Sequence, residues 1–267
     1  MSADVHVIDD IEEPVAARLK TLISRSGSRH TSEIVIEDEV NVLGARDANV
    51  EILGLFVSQK HAQTALISKL SPDVETSVVS DDVLAQLFAR TRTPDVFATA
   101  RLPAPATFRT LTASGPGDIV VLDSVDGPGN IGAVIRGATA FEAAGVVALN
   151  RDRPAVYRRG VVRASAGNMF KVPIVTATTN RFARFCAASG TLAVALSSHA
   201  DTTIDDVVAR PERLALIFGS ETRGCSPEVL EIADVTCRIP IAPGVESLNV
   251  SAAANIMMFL RSPLRRR

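Results

Sequence analysis

Tryptophan is absent from this 267-residue chain, tyrosine occurs once, as Tyr157, and aromatic residues make up only 4% of it. The 46% hydrophobic content is carried instead by Ala, Val, Leu and Ile, a composition that suits β-branched parallel strands beneath small-residue helices. Cysteine is equally scarce. Cys186, Cys225 and Cys237 are scattered and lack CxxC spacing, which argues against a disulfide framework or a zinc site, predicts no metal, and leaves them as small buried hydrophobes. No stretch approaches the ~18 consecutive apolar residues of a membrane span. The opening MSADVHVIDDIEEP is acidic, where a signal peptide would be basic and then apolar. These absences predict a cytoplasmic protein with no membrane partner. Internal repeats and low-complexity tracts are also missing, and the length lies near two domains at roughly 150 residues each.

The formal net charge is −2, which by itself discourages a nucleic-acid partner, because counterion release from phosphates needs positive charge. Distribution matters more than the sum. Residues 18 to 30, RLKTLISRSGSRH, carry Arg18, Lys20, Arg25, Arg29 and His30 without an acid, and the next segment supplies Glu33, Glu37, Asp38 and Glu39, so basic and acidic faces are expected to be segregated. A second basic cluster holds Arg151, Arg153, Arg158, Arg159, Arg163 and Lys171 against Asp152 alone, and Arg265, Arg266 and Arg267 close the chain. Such clusters are either solvated surface or an electrostatic footprint for an anionic partner.

Helix-like and strand-like segments alternate. An amphipathic stretch from Val15 to Ser24 precedes a strand at 51–58, a helix around 62–70, a strand at 74–80, a helix at 81–90 and a strand at 95–102. Pro103, Pro105, Gly115, Pro116 and Gly117 then punctuate the best candidate for a linker, 106–117, which separates a domain at 1–105 from one at 118–267. Beyond it come strands at 118–125, 146–150, 191–198, 213–220 and 235–241, with helices near Ile131–Ala143, Val156–Ala164, Arg181–Ala188 and Asn249–Leu260. Short apolar strands between helices predict an α/β fold with a parallel sheet covered on both faces.

Within VLDSVDGPGNIGAVIRGATA, residues 121 to 140, Gly127-x-Gly129-x-x-Gly132 follows an apolar run, with Asp152 twenty positions beyond the last glycine. This resembles a dinucleotide turn of a nicotinamide-dependent oxidoreductase. Pro128 weakens that reading, since it removes a backbone N–H from the turn and restricts Gly127, and the motif begins beyond the core of the strand. Asn130 sits where a helix N-cap is expected, and Arg136, four residues after Gly132, shares a helical face with that glycine; a cap and a surface charge would explain both equally. Two later segments add weight. IFGSETRG (217–224) ends an apolar strand in small residues and one carboxylate, at the edge where open α/β sheets bind ligands. RIPIAPGVESLNV (238–250) ends another strand and presents Glu246, Ser247 and Asn249 at a helix start, where Ser-x-Asn is also ordinary capping chemistry.

Asn130-x-Gly132-x-x-x-Arg136, then Phe218-Gly-Ser-Glu-x-x-Gly224, then Ile239-Pro240 with Glu246-Ser-Leu-Asn-Val-Ser251 match in order the three signature motifs of the SpoU family of RNA ribose 2'-O-methyltransferases. The resemblance covers roughly residues 117 to 260, and with its preceding α/β unit the whole chain is similar to the thiopeptide-resistance methyltransferases. What the resemblance implies is a C-terminal SPOUT α/β domain with a deep trefoil knot, an exception to the usual rule against knots, preceded by a small L30e-like α/β RNA-binding domain. It implies S-adenosylmethionine as methyl donor, bound at Leu196, Ser197, Phe218 to Glu221 (with Gly219 and Ser220), Ile239 to Ile241, and Ser247 to Asn249 with Leu248.

The same resemblance places catalysis at Arg136, with Asn130, Glu221, Ser247 and Asn249 around it. A guanidinium is a poor base, so Arg136 is expected to clamp an RNA phosphate and stabilise the developing alkoxide. Asn130 would orient the nucleotide or Arg136, and Glu221 would hold an arginine or relay the proton. Arg163 is expected to hold RNA in the active site from a second subunit. The implied assembly is a homodimer in which Ser251–Ala254 permit close helix approach and Met257, Met258 and Phe259 supply apolar contact, unless that face is core of its own chain. Arg25, Arg29, His30, Lys60 and Phe88 are candidate RNA contacts, Phe88 by stacking on a base unless it is buried. The expected substrate is an adenosine in the GTPase-associated region of 23S rRNA; another rRNA site, a tRNA, or binding without catalysis are the alternatives.

Overall fold

A computed structural model describes residues 6–27, 31–63, 66–70, 74–89 and 92–266. The chain divides into two units, Met1–Ala104 with Arg153–Phe170, and Pro105–Asp152 with Lys171–Arg267. The expected domains at 1–105 and 118–267 therefore need amendment in the middle, because the basic segment 153–170 clusters with the N-terminal unit.

In the first unit the elements run β1 (His6–Ile8), α1 (Pro14–Ser24), β2 (Glu33–Glu37), α2 (Glu39–Asp47), β3 (Ile52–Ser58), α3 (Leu66–Lys69), β4 (Thr76–Val79), α4 (Asp81–Leu87) and β5 (Val96–Arg101). Their sheet has the order β1-β4-β3-β5-β2. It is mixed: β1, β4 and β3 are parallel, while β5 runs antiparallel to both β3 and β2. Helix α1 buries Ala16, Leu19 and Ile23, the three-and-four spacing of one helical face. Ser80 caps α4 by accepting a hydrogen bond from the Val83 N–H at 3.3 Å. Three phenylalanines cluster here, with Phe56 stacked on Phe97 at 4.9 Å and Phe88 edge-on to Phe97 at 5.2 Å.

The second unit begins with α5 (Phe108–Ala113), a helix inside the segment expected to be linker, started by a capping box in which Thr107 and Thr110 each accept from the other's backbone N–H. There follow β6 (Ile119–Asp123), α6 (Pro128–Ala140) and β7 (Gly145–Leu149). After α7 (Arg153–Val156) and α8 (Arg159–Ala164), which cluster with the first unit, come β8 (Ile174–Ala177), α9 (Thr179–Ser189), β9 (Leu192–Leu196), α10 (Ile204–Val208), β10 (Leu214–Phe218), α11 (Pro227–Ile232), β11 (Val235–Cys237) and α12 (Val250–Arg261). The six strands form one all-parallel sheet in the order β11-β9-β10-β6-β7-β8. Every residue of β6, β7 and β10 is buried, which explains why these strands read as continuous apolar runs and not as alternating ones.

Strand order decides where chemistry can occur. From the central β6 the chain steps outward through β7 and β8, then returns on the other side, where β10 lies directly against β6. The loops leaving the carboxyl ends of β6 and β10 thus depart from neighbouring strands at a point where the winding reverses, the usual location of a ligand crevice in such sheets. β9 and β11 continue the same edge beyond β10.

Candidate active site

The loop after β6 leads directly into α6. Gly127 is its N-cap and Pro128 its first residue, so Asn130 is the third helical residue and not the cap that its position suggested. Proline at the first position needs no N–H, and Asn130, which is inside the helix and does not cap it, turns its side chain to longer-range contacts. Its Nδ2 donates to Oε1 of Glu221, in the loop after β10, and its Oδ1 accepts from Nδ2 of Asn249 at 3.0 Å. Asn249 is the N-cap of α12, with its Oδ1 accepting from the backbone N–H groups of Ser251 at 2.9 Å and Ala252 at 3.3 Å.

These contacts orient one another. Because the Asn249 oxygen must face the helix N–H groups, its nitrogen must face Asn130; the Asn130 oxygen then faces Asn249 and its nitrogen faces Glu221. The sequence separations, 91 residues from Asn130 to Glu221 and 119 from Asn130 to Asn249, make this chain of amides a product of the sheet order alone. Both polar ends of the Asn130 amide are thus engaged within the protein, one by the Glu221 carboxylate and one by Asn249. Arg136 lies on α6, exposed, and among the described residues has neither hydrogen bond nor ion pair to these three side chains.

The loop carrying Glu221 is closed by reciprocal backbone hydrogen bonds, Ser220 N–H to Gly224 O at 3.0 Å and Gly224 N–H to Ser220 O at 2.8 Å. Gly219 is required by this turn: an added Cβ would collide with the backbone of Gly224 and Cys225. Asp123, the last residue of β6, is 1% exposed and accepts from the Ser226 N–H at 2.6 Å and the Ser124 hydroxyl at 3.1 Å. It anchors the far end of the same turn. Sequence reasoning passed over Asp123 as part of a strand, although a carboxylate ending an apolar run at the ligand edge was a usable signal.

The remaining predicted site residues gather at adjacent strand ends. Leu196 ends β9 and Phe218 ends β10, while Ile239 and Ile241 follow β11. Ser197 donates its backbone N–H to the Cys237 carbonyl at 2.9 Å, tying the ends of β9 and β11. Ile239, Ile241 and Leu248 are half-buried, and among the described residues their backbone groups make no hydrogen bond, whereas Ser247 and Glu246 are exposed. Half-buried apolar side chains with unused backbone donors and acceptors suit the flat, edge-polar shape of a purine.

All three cysteines are buried, and the Cys225 thiol meets the Leu196 carbonyl at 3.6 Å. Burial pushes Cys186 and Cys225 up to about 12 and Cys237 up to about 11, so none is a nucleophile near neutrality.

A model described as the SpoU rRNA methylase family matches residues 118–259, just over half of the chain. The chain belongs to the SpoU rRNA methylase family. A second model, the thiostrepton-resistance methylase N terminus, matches residues 5–114. The 23S rRNA (adenosine(1067)-2'-O)-methyltransferase of Streptomyces azureus is 30% identical over 259 residues, 96% of this chain and 91% of that protein. The enzyme of the same description from Streptomyces laurentii is 31% identical over 97% of this chain and 96% of its own length. An rRNA methyltransferase from Sinorhizobium meliloti superposes with a TM-score of 0.81 at 24% identity, over 97% of this chain and 98% of that one. The SpoU methyltransferase AviRb of Streptomyces viridochromogenes, solved in complex with AdoMet, gives 0.79 at 23% identity, over 94% and 98%. The oxidoreductase reading of the glycine turn ends with this membership.

In this SpoU family member one of the expected RNA contacts is excluded by burial. Phe88 is 2% exposed, wedged against Phe97 with the Arg159 guanidinium 4.8 Å above its ring, so it is core and cannot stack on a base. Lys60 is exposed and paired with Asp81 at 3.5 Å. Arg25 is exposed and borders a surface cavity of about 220 Å³ with Arg18, Thr21, Ser32 and Glu33. Arg29 and His30 lie outside the described residues. Basic and acidic faces are not segregated: Arg18 pairs with Glu33 at 2.5 Å, and Glu37 is buried between Arg159 and Arg163. Met257 and Met258 are buried within their own chain, which leaves Ile256 and Phe259 as the exposed large apolar residues of α12.

Proposed function

We propose that this family member transfers the methyl group of S-adenosylmethionine to the ribose 2'-oxygen of an adenosine in the GTPase-associated region of 23S rRNA, and thereby confers thiopeptide resistance. The observation that carries the reading is its likeness to two adenosine 2'-O-methyltransferases along nearly all of both chains, N-terminal unit included. When bound, the donor supplies an electrophilic methyl on a sulfonium whose neutral thioether leaves without an acid. Leu196, Ser197, Phe218 to Glu221, Ile239 to Ile241 and Leu248 would hold it, apolar side chains against the adenosine and unused backbone groups for its polar edge.

The protein must align the 2'-hydroxyl with the methyl and ease loss of its proton. Arg136, exposed on α6, clamps an RNA phosphate and stabilises charge developing on the oxygen, and the proton passes to that phosphate. Asn130 holds Glu221 through one end of its amide and is itself held by Asn249. Glu221 keeps a second oxygen for an arginine or for the substrate. Ser247 lines the exposed loop beside Asn249. Two copies would pair through α12, a reading supported by Phe259 at 52% exposure beside Phe141. The knot and a cytoplasmic location belong to the same reading.

Incubation with labelled S-adenosylmethionine and a fragment of that rRNA region tests the proposal. Alkali-resistant label at one adenosine is expected. Label at another rRNA position or in tRNA would overturn the target, and a fully folded protein that neither binds donor nor transfers label would overturn the reaction.

A further inference from the structure

Glu37 is the last residue of β2, and its side chain is fully buried. A buried carboxylate survives only with partners, and Glu37 has two. Its Oε1 meets the Arg159 Nε at 2.5 Å and its Oε2 meets the Arg163 Nη1 at 3.1 Å. The two arginines are one helical turn apart on α8, so a single carboxylate spans both. They differ in environment: the Arg159 side chain is 13% exposed and lies over the Phe88 ring, whereas that of Arg163 is 38% exposed.

The surroundings hold Glu37 rigidly. Its carbonyl accepts from the Asn41 side chain at 2.8 Å, and Asn41 in turn accepts from the Gly167 N–H at 2.5 Å, just past α8. Asp38, next in the chain, adopts a left-handed φ of 71° and pairs with Arg92. Such a conformation in a non-glycine residue persists only where the surroundings impose it. Glu37 is thus shared by Arg159 and Arg163, while Asp38 and Asp95 both face Arg92, and of the two guanidinium groups on Glu37 the one that reaches solvent is the half-exposed Arg163.

We propose that Glu37 is a positioning residue for RNA: it neutralises Arg159, fixes the Arg163 guanidinium in one orientation and presents it to an RNA phosphate. This rests on the RNA-methylation reading above. A carboxylate that repels RNA and one that orients an arginine for RNA have opposite signatures. Replacing Glu37 by Gln removes one negative charge, so a purely electrostatic role tightens RNA binding, whereas a positioning role weakens it despite the gain in net charge.

The test uses the full-length protein, the rRNA fragment and S-adenosylmethionine, with donor affinity measured separately. In Glu37→Gln we expect the RNA KM to rise about tenfold, kcat at saturating RNA to stay within about twofold, and the donor Kd to be unchanged. In that background Arg163→Ala should cost far less RNA affinity than it does alone. If Glu37→Gln does not fold because the largely buried Arg159 loses its carboxylate, Glu37→Gln with Arg159→Gln removes both charges and still releases Arg163. An unchanged or lower RNA KM in a folded variant, or fully additive effects of the two changes, overturns the inference. Failure of the wild-type protein to methylate the fragment would instead overturn the reading on which it rests.

Discussion

Asn249 performs two tasks that one substitution can separate. Its Oδ1 caps α12, and its Nδ2 fixes Asn130, which fixes Glu221. Asn249→Asp keeps an oxygen of the same reach at the cap and adds a negative charge at a helix N-terminus, worth about 0.3 to 1 kcal/mol in favour of folding. The other end of the side chain changes from donor to acceptor. Asn130 then faces a carboxylate on both sides, the introduced one and that of Glu221, with its NH₂ directed to one and its carbonyl oxygen opposed to the other. The lost hydrogen bond and the opposed acceptors cost about 1 to 2 kcal/mol, the lower part of the usual range because Asn249 is exposed. If Glu221 must be held for methyl transfer, kcat/KM falls about 5- to 30-fold while Tm is unchanged or slightly higher. Asn249→Ala removes both functions, and should lower Tm as well as activity, since loss of a cap costs about 1 kcal/mol. Thermal melts and initial-rate kinetics on the rRNA fragment distinguish these outcomes. Full activity in a stably folded Asn249→Asp protein would refute the linked orientation of the three side chains.

Three other changes probe separate parts of the molecule. Arg136→Ala should lower kcat by about 100-fold or more with donor affinity unchanged, as measured by single-turnover transfer and calorimetry; most of the turnover surviving would remove Arg136 from its assigned role. Gly219→Ala must displace the turn that carries Glu221, so donor binding should weaken by at least about tenfold, and a wild-type titration would mean that the turn is not part of the donor site. The third concerns alkaline pH: Cys186 and Cys225 are raised from 9.0 to about 12, and Tyr157 from 10.0 to about 12, in each case chiefly by burial. The unfolded chain therefore releases these protons first, and the stability present below pH 9 declines as pH climbs toward 12, which denaturant melts at pH 8, 9.5 and 10.5 would register. A stability that rises over that interval contradicts the burial of these groups.

The segments that gather at the candidate site were legible in the sequence because their motifs are local. The glycine turn, the Phe218–Glu221 segment and the Ser247–Asn249 segment each sit at a strand end followed by a turn or helix, and period and punctuation mark such places in one sequence. The all-parallel sheet was legible for a similar reason, since strands buried on both faces are continuous apolar runs. EIVIEDEVNVL was not: four of its eleven residues are acidic, and it read as an acidic surface segment until pairing with β5 buried Glu37 in the sheet. Phe88 was ambiguous because burial of an aromatic depends on what lies above it.

Composition, alternation and motif order by themselves determined that this is an α/β protein of the SpoU family, because each is written in residues close together along the chain. Only the tertiary structure decided what those residues touch. That Asn130 holds Glu221 from 91 residues away follows from β10 lying beside β6. That two arginines of α8 share one buried carboxylate follows from α8 clustering with a unit whose last strand ends at Arg101. Strand order and long-range docking are set by how apolar faces close against one another, and no local pattern in the sequence encodes that choice.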